Sequence, residues 1–307
     1  MTFNLSDAVS ATLGARFFEN DSELAGVVGW GPVIFGNADT RVDETYSDDD
    51  NIIKANLAWN VTDDHMVYAT FSEGYRPGGL NRDPGLMALG VFEYTPDILT
   101  NYEVGFKTTM LDQRMRVNGA VYQSDWEDIQ YTIYDFGLSR CCGTTYNLST
   151  AEIFGVEVDG TLVASDQWTL SAALSYNDAE TTGDFTLING RLAVPKGTEL
   201  PNVPEWKGNF STRYEFGISD YDAYWQLSYS FTGNSWNEIR PDQRSYQGGY
   251  SIGNLRFGVA KDNWGIDTWV NNFTDEVAQL YVSARPYEPS TTTNRPRSFG
   301  AKFWQRF

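Results

Sequence analysis

Histidine, cysteine and basic residues are scarce in this 307-residue sequence, and each scarcity argues against a class of function. His65 is the only histidine, so a Ser-His catalytic arrangement would depend on one residue in a short turn. The adjacent Cys141 and Cys142 do not have the usual spacing of zinc ligands. Lysine and arginine number 22 against 41 acidic residues, giving a net charge of -19 that disfavours nucleic-acid binding. We therefore expect no enzyme, no metal site, no cofactor and no nucleic-acid partner.

Long apolar runs are also missing from the sequence. Nowhere do about 18 consecutive apolar residues occur, which excludes a transmembrane helix. A transmembrane β-barrel remains compatible, because its strands alternate between two faces and average to modest hydropathy. The 10 Trp, 18 Tyr and 18 Phe suit aromatic girdles at membrane interfaces. A soluble β-rich protein with an aromatic core fits the composition equally well.

Short Asp-rich turns alternate with long irregular segments along the chain. The short turns are predicted at 6–7, 62–65, 111–113, 165–167, 219–222 and 261–263. The long segments are predicted at about 20–40, 76–99, 135–147, 180–204, 234–249 and 275–294, with the acidic run 39–50 placed between strands. Short turns at one rim and long loops at the other are typical of outer-membrane barrels, whereas a soluble meander has no reason to keep its long loops on one side.

Residues of alternating polarity occupy the stretches between these turns. Trp168, Leu170, Ala172, Leu174 and Tyr176 share one face of a predicted strand, opposite Thr169, Ser171, Ala173, Ser175 and Asn177. The same pattern recurs in the segments that contain Tyr102 and Val104, Phe154 and Val156, Trp206 and Phe210, and Trp225 and Tyr229. The polar faces carry charges that a dry core would not accept unpaired. The pattern predicts one face in lipid and one in a lumen, although a solvated sandwich face would alternate in the same way.

The C-terminal segment has the features of a closing barrel strand. Phe299, Phe303 and Phe307 recur at alternate outward positions with Ala301 between them, although Gln305 interrupts the series. We interpret the three phenylalanines as a membrane-assembly signal, with the barrel-assembly machinery as the expected partner.

The segment YATFSEGYRPGGLN at 68–81 resembles a part of the barrel of TonB-dependent outer-membrane receptors. Further similarity lies in 101–130, in 153–179, and in NNFTDEVAQLY from Asn271 together with the terminal Phe307. The resemblance covers nearly the whole chain, but only the second half of such a receptor.

This resemblance implies an all-β fold, a partial antiparallel transmembrane β-barrel of about 12 or 13 strands out of about 22. Residues 1–307 would be the C-terminal portion of the barrel, without a plug domain. The N-terminal segment also lacks a secretory signal, so we expect a fragment that begins within a strand. The implied function is TonB-dependent uptake of a scarce ligand, most often a ferric siderophore, at the bacterial cell outer membrane. A passive porin-like channel is the alternative.

Ligand-binding candidates are the arginine, aromatic and amide residues where loops meet the lumen. Arginine and aromatic side chains suit anionic, planar iron chelates through charge and stacking. At any single position, contact with outer-membrane lipid or lipopolysaccharide is the competing interpretation. TonB would be contacted through the missing N-terminal part. The candidates are Tyr75, Arg76, Asn81, Arg82, Trp236, Arg240, Tyr287, Arg295 and Arg297.

Overall fold

A computed structural model describes residues 1–28, 40–82, 92–134, 143–283 and 290–307. Cys141, Cys142 and Tyr287 lie outside these residues. All regular structure in the described part of the chain is β-strand, and none of it forms a helix long and apolar enough to cross a bilayer. The strands are β1 Thr2–Asn4, β2 Val9–Val28, β3 Thr40–Thr62, β4 His65–Arg76, β5 Gly79–Leu80, β6 Glu93–Tyr94, β7 Asp97–Met110, β8 Met115–Glu127, β9 Gln130–Ile133, β10 Thr144–Asn147, β11 Ala151–Ser165, β12 Trp168–Thr181, β13 Phe185–Thr186, β14 Leu192–Val194, β15 Trp206–Ile218, β16 Tyr221–Thr232, β17 Ser235–Trp236, β18 Tyr246–Gln247, β19 Tyr250–Lys261, β20 Trp264–Asn271, β21 Gln279–Val282, β22 Thr291–Thr293 and β23 Ser298–Gln305.

Thirteen of these strands form one antiparallel sheet, in the order β1-β2-β3-β4-β7-β8-β11-β12-β15-β16-β19-β20-β23. Each strand pairs with its neighbours in the chain once the short strands are set aside, which is the connectivity of an up-and-down barrel wall. The count agrees with the predicted 12 or 13 strands. In the described part of the chain, β1 and β23 are the two edges of the sheet.

All six predicted short turns are found, and they lie at one rim of the sheet. Ser219 and Asp262 take positive φ values of 56° and 51° in two of them, a conformation that short polar side chains tolerate better than bulky ones. The six long connections therefore lie at the opposite rim. The predicted alternation of short turns and long loops is confirmed.

The long connections are more ordered than the sequence pattern indicated. Within the described residues, two-stranded hairpins lie in the connections after β4, β8, β12, β16 and β20, formed by β5–β6, β9–β10, β13–β14, β17–β18 and β21–β22. The prediction of irregular segments was wrong at these places. Hairpin strands of two to four residues are too short to show a period of two, so the sequence pattern cannot reveal them.

The ribbon formed by β2 and β3 corrects two further predictions. The segment 20–40 is not irregular throughout, because β2 runs to Val28, and the acidic residues 43–50 lie within β3 rather than between strands. Asn20 and Asp48 face each other across this ribbon and are joined by a 2.9 Å hydrogen bond. The inward face of this extension carries the buried Val42 and Tyr46 together with Glu44 and Asp48. Apolar and acidic residues share that face, so the apolar alternation that signals a strand is lost.

The outward and inward faces are confirmed by the pairing register. One cross-strand row runs through Ala69, Val104, Val121, Val156 and Tyr176, so the apolar residues of five successive strands lie side by side. The side chains of this face are exposed, Val104 to 64%. Exposed apolar residues in a continuous band are what a lipid-facing surface requires.

Aromatic rings lie over glycines on the inward face. Tyr122 covers Gly155 on the neighbouring strand, and Tyr68 covers Gly105, in each case so closely that a Cβ would not fit. The hydroxyl of Tyr68 then donates to Glu103 at 2.7 Å. Such pairs restore the contact area that a glycine lacks within a strand.

The buried apolar core lies among the long connections rather than against the sheet. It joins residues of the connections 128–150, 182–205 and 233–249 with Ala151 and Ala179 at the ends of β11 and β12, which meet at the long-loop end. Its members are Ile129, Ile133, Leu148, Ala151, Ala179, Leu187, Ala193, Val194, Leu200 and Ile239. We call the connections 77–96, 128–150, 182–205, 233–249 and 272–297, within the described residues, the loop rim.

Candidate ligand-binding rim

Hydrogen bonds link the loops of the rim to one another. Asn81 donates to the carbonyl of Thr145 at 2.9 Å and accepts from the Thr145 amide at 3.0 Å, which ties the first loop to the β9–β10 hairpin. On the other side, Gln247 accepts from the Val282 amide at 2.8 Å and so ties the fourth loop to the fifth. A rim fixed in this way presents its surface with little ordering left to be completed on binding.

Asn81 is buried, with 5% of its surface exposed, and both ends of its amide are used in the Thr145 contact. The residue was predicted as a ligand contact. In the structure its polar groups hold two loops together, because a main-chain amide and carbonyl inside the rim need partners. The ligand contact stays a prediction.

Arg76 stands at a junction of three strands. Its guanidinium pairs with the buried Asp97, donates to the carbonyl of Gln130 at 2.8 Å, and lies 5.8 Å from the centre of the Trp126 ring. The side chain is still 48% exposed. Arg76 can therefore hold the junction and offer one side of its guanidinium to the lumen.

Tyr75 fills the gap where β3 and β4 separate. Its ring packs on Phe18 with centroids 3.7 Å apart, and its hydroxyl donates to Asp48. The amide of Gly78 reaches the same carboxylate at 3.5 Å. Tyr75 thus holds the segment of β3 around Asp48 against the first loop. Arg82, at the end of the described segment, is exposed.

Arg240 is completely buried inside the rim, although the sequence placed it among the ligand contacts. Its guanidinium donates to the carbonyl of Tyr134 at 2.8 Å and lies 4.0 Å from Glu238. Burial raises the pKa of Glu238 above its usual value, and hydrogen bonds from the amides of Ile239 and Arg240 oppose that rise. A direct contact between Arg240 and a ligand would require the rim to open.

Trp236 lies on the accessible side of the β17–β18 hairpin. Its ring meets Tyr246 edge to face with centroids 5.4 Å apart, and the Arg244 guanidinium lies 4.0 Å from the ring centre. Tyr246 is 55% exposed. Arg244 and Tyr246 were not among the residues predicted from the sequence; Tyr246 opens β18, and Arg244 precedes that strand by two residues.

The third group of candidates precedes the last strand. Arg297 forms an ion pair with Asp275 at 2.8 Å, and its amide donates to the same carboxylate at 3.0 Å. These hydrogen bonds lower the pKa of Asp275. Arg295 is exposed, and its carbonyl accepts from Asn272 at 3.1 Å.

The proposed assembly residues lie along the sheet edge. Phe299 pairs with Val270 and Phe303 with Ile266, which places both phenylalanines on the outward, lipid-facing side. Phe307 follows the end of β23. Their position is compatible with a signal read from the membrane side, and the assembly role stays a prediction.

In the described ranges, no group of three His, Cys, Asp or Glu residues could hold a metal ion. His65 opens β4 next to the turn, and its Nδ1 contacts the hydroxyl of Thr108. The arrangement is a wall with a structured, aromatic and arginine-bearing rim.

Comparison with known proteins shows which family of β-barrels the sheet resembles. Residues 1–273 match the family described as TonB dependent receptor-like, beta-barrel. The pesticin receptor of Yersinia pestis is 24% identical over 305 residues, which is 98% of this chain and 42% of that protein. The probable TonB-dependent siderophore receptor PiuA of Acinetobacter baumannii is 22% identical over 171 residues, 53% of this chain and 22% of that protein.

Solved structures agree on the fold. The ferric yersiniabactin uptake receptor FyuA from Yersinia pestis superposes with a TM-score of 0.81 at 20% identity, over 100% of this chain and 44% of that one. The siderophore receptor PiuA from Acinetobacter baumannii gives 0.73 at 17% identity, over 99% and 42%. The chain thus spans less than half the length of these relatives.

Proposed function

The chain belongs to the TonB-dependent receptor-like β-barrel family, and from this premise we propose that it serves energised uptake of a ferric siderophore. It is a portion of a barrel of the bacterial outer membrane. Proteins of this family are receptors and transporters, and the solved relatives are a ferric yersiniabactin uptake receptor and a siderophore receptor. These relatives support a ferric chelate as the ligand of this chain as well.

The observation that carries the proposal is the stack of Arg244 on Trp236 beside Tyr246 on the surface of the rim. A planar, anionic chelate would meet both an aromatic surface and a positive charge there. The linked loops hold these side chains on the rim, so little ordering would remain when a ligand binds. Among the predicted candidates that the structure describes, the exposed residues are Arg76, Arg82, Arg295 and Arg297.

We further propose that residues 1–307 form the C-terminal portion of the barrel, and that coupling to TonB comes from the N-terminal portion of the same protein. Outer-membrane lipid and lipopolysaccharide would contact the outward face, and the barrel-assembly machinery would read Phe299, Phe303 and Phe307. Sequencing the DNA upstream tests the first point: an open reading frame encoding a signal peptide, a plug and further strands is expected.

Uptake of radiolabelled iron in receptor-deficient cells tests the function. The protein that carries this chain should support saturable uptake of ferric yersiniabactin, or of another ferric siderophore from a panel, that disappears when tonB is deleted. Arg244→Ala should raise the ligand concentration that gives half-maximal uptake roughly 2- to 30-fold, the range for a lost cation–π contact. Arg191→Ala is the matched control, because Arg191 is a half-exposed rim arginine whose recorded ion pair is with Asp242 at 3.8 Å.

Two results would contradict the proposal. Passage of ions or chelates that does not saturate and continues without TonB would support the passive porin-like channel instead. Equal losses from Arg244→Ala and Arg191→Ala would remove the aromatic-arginine stack as the recognition element while leaving uptake itself intact.

A further inference from the structure

A cavity of about 300 Å³ lies beneath the β17–β18 hairpin, between the loop rim and the inward face of the sheet. Its floor is a single cross-strand row, because Lys207 of β15 pairs with Thr232 of β16, and Thr232 pairs with Tyr250 of β19. These residues face inward, since their chain neighbours Trp206 and Phe231 lie on the exposed outward face. We call this space the Lys207 cavity.

The roof of the Lys207 cavity is built from side chains held in place. Gln247 is 4% exposed and donates to Asn202 at 2.9 Å and to the hydroxyl of Ser235 at 3.2 Å. Its carbonyl oxygen is used by the amide of Val282 at 2.8 Å. Three loops therefore meet above the cavity, and their hydrogen bonds hold its roof in place.

The charge of the lining is opposite to that of the protein. The sequence holds 41 acidic and 22 basic residues, yet neither aspartate nor glutamate is among the described residues that line this cavity, where Lys207 is the only charged one. On its other side Lys207 lines a neighbouring cavity together with Glu157 and Asp159, and Glu157 lies two strands or roughly 10 Å away along the row through Ser175. Within the Lys207 cavity itself the ammonium is surrounded by hydroxyls and amides, and such a lining attracts an anion.

We propose that the Lys207 cavity is a subsite for a carboxylate group of the transported ligand, an assignment that rests on the proposed uptake function. The Lys207 ammonium and the hydroxyls of Thr232 and Tyr250 can all donate to carboxylate oxygens. The size suits a compact group rather than a whole chelate with its aromatic rings. The subsite lies below the aromatic-arginine stack, so the rim and the cavity would bind different parts of one ligand.

The test observes Lys207 directly in the outer-membrane protein that carries this chain. Lysines are reductively methylated with ¹³C-formaldehyde, and the Lys207 and Lys302 signals are identified by their loss in Lys207→Arg and Lys302→Arg. Lys302 serves as the internal control because it faces inward on β23, outside the cavity. Citrate is the titrated probe, and its neutral triethyl ester is the matched control.

Citrate should shift the Lys207 signal saturably and leave Lys302 unchanged, and the ester should shift neither. Tyr250→Phe should weaken the fitted dissociation constant about tenfold, as expected for one hydroxyl lost from a charged acceptor. An unmoved Lys207 signal, or equal shifts at both lysines, would overturn the proposal. A Lys207 shift in a protein that fails in iron uptake would refute the uptake function alone, and uptake without the shift would refute the subsite alone.

Discussion

Reversing the polarity of two adjacent residues in β12 tests the two-faced wall most directly. Leu174 lies outward between Val158 and Gly208, and it is 39% exposed. Ser175, one residue later, lies inward between Glu157 and Lys207. Leu174→Arg and Ser175→Arg add the same side chain to opposite faces of one strand.

The two substitutions should change the free energy of unfolding by different amounts, because Leu174 faces lipid and Ser175 faces the lumen. Arginine near the middle of the lipid-facing band costs about 2 to 4 kcal/mol, which lowers the folding equilibrium constant roughly 30- to 700-fold. At Ser175 the new guanidinium is hydrated and lies between one negative and one positive neighbour. The net effect there should stay below about 1 kcal/mol.

The measurement is equilibrium unfolding in urea of the protein folded into lipid vesicles, followed by tryptophan fluorescence. Leu174→Met is the control for packing at the same position, since a volume-conserving apolar exchange costs little. Equal destabilisation by Leu174→Arg and Ser175→Arg would refute the assignment of lipid and lumen faces. A larger loss at Ser175 would invert it.

Three further results are expected. Asn81→Ala removes the partner of the Thr145 carbonyl and of the Thr145 amide inside the rim. Hydrogen exchange at the Thr145 amide should therefore be at least about tenfold faster, and unchanged exchange would count against this link between the two loops. The lowered pKa of Asp275 means that its clasp is present above the usual aspartate pKa and is lost as pH falls through the lowered value. Protection of the Arg297 amide should follow that acid transition, and the transition should be absent in Asp275→Asn, whose side chain does not titrate; a persistent acid transition in the variant would exclude this carboxylate. Gly155→Ala must displace the tyrosine ring packed on it and should cost about 1 to 3 kcal/mol in the same unfolding assay, whereas Gly14→Ala, with open space around it, should not; equal effects would remove the ring contact as the cause.

Much of the wall could be predicted from the sequence because its signals are local. A strand with one lipid face must alternate, so the outward positions of Leu174, Val156 and Phe210 follow from their neighbours alone. Short turns follow from Asp and Ser at positions that take positive φ. The extension of β2 and β3 was missed because acidic residues share a face of β3 with Val42 and Tyr46, so the alternation is lost there.

The candidate site was less predictable because it depends on which loops meet. Arg240 and the carbonyl it binds, on Tyr134, are 106 residues apart, and nothing near Arg240 in the sequence indicates that it is buried. As an arginine in a long loop, Arg240 was predicted to contact the ligand. Packing of the loop core instead placed Arg240 inside the rim and left Arg244 on the surface.

The sequence by itself determined the faces of the strands, the rim at which the long loops lie and the family to which the wall belongs, since all of these follow from period-two patterning and short motifs. Only the tertiary structure decided what the rim contains. Register placed Lys207, Thr232 and Tyr250 in one row, and contacts between distant loops closed a cavity without carboxylates above them. Neither pairing register nor loop contact is a local property, so both appear only when the strands are assembled.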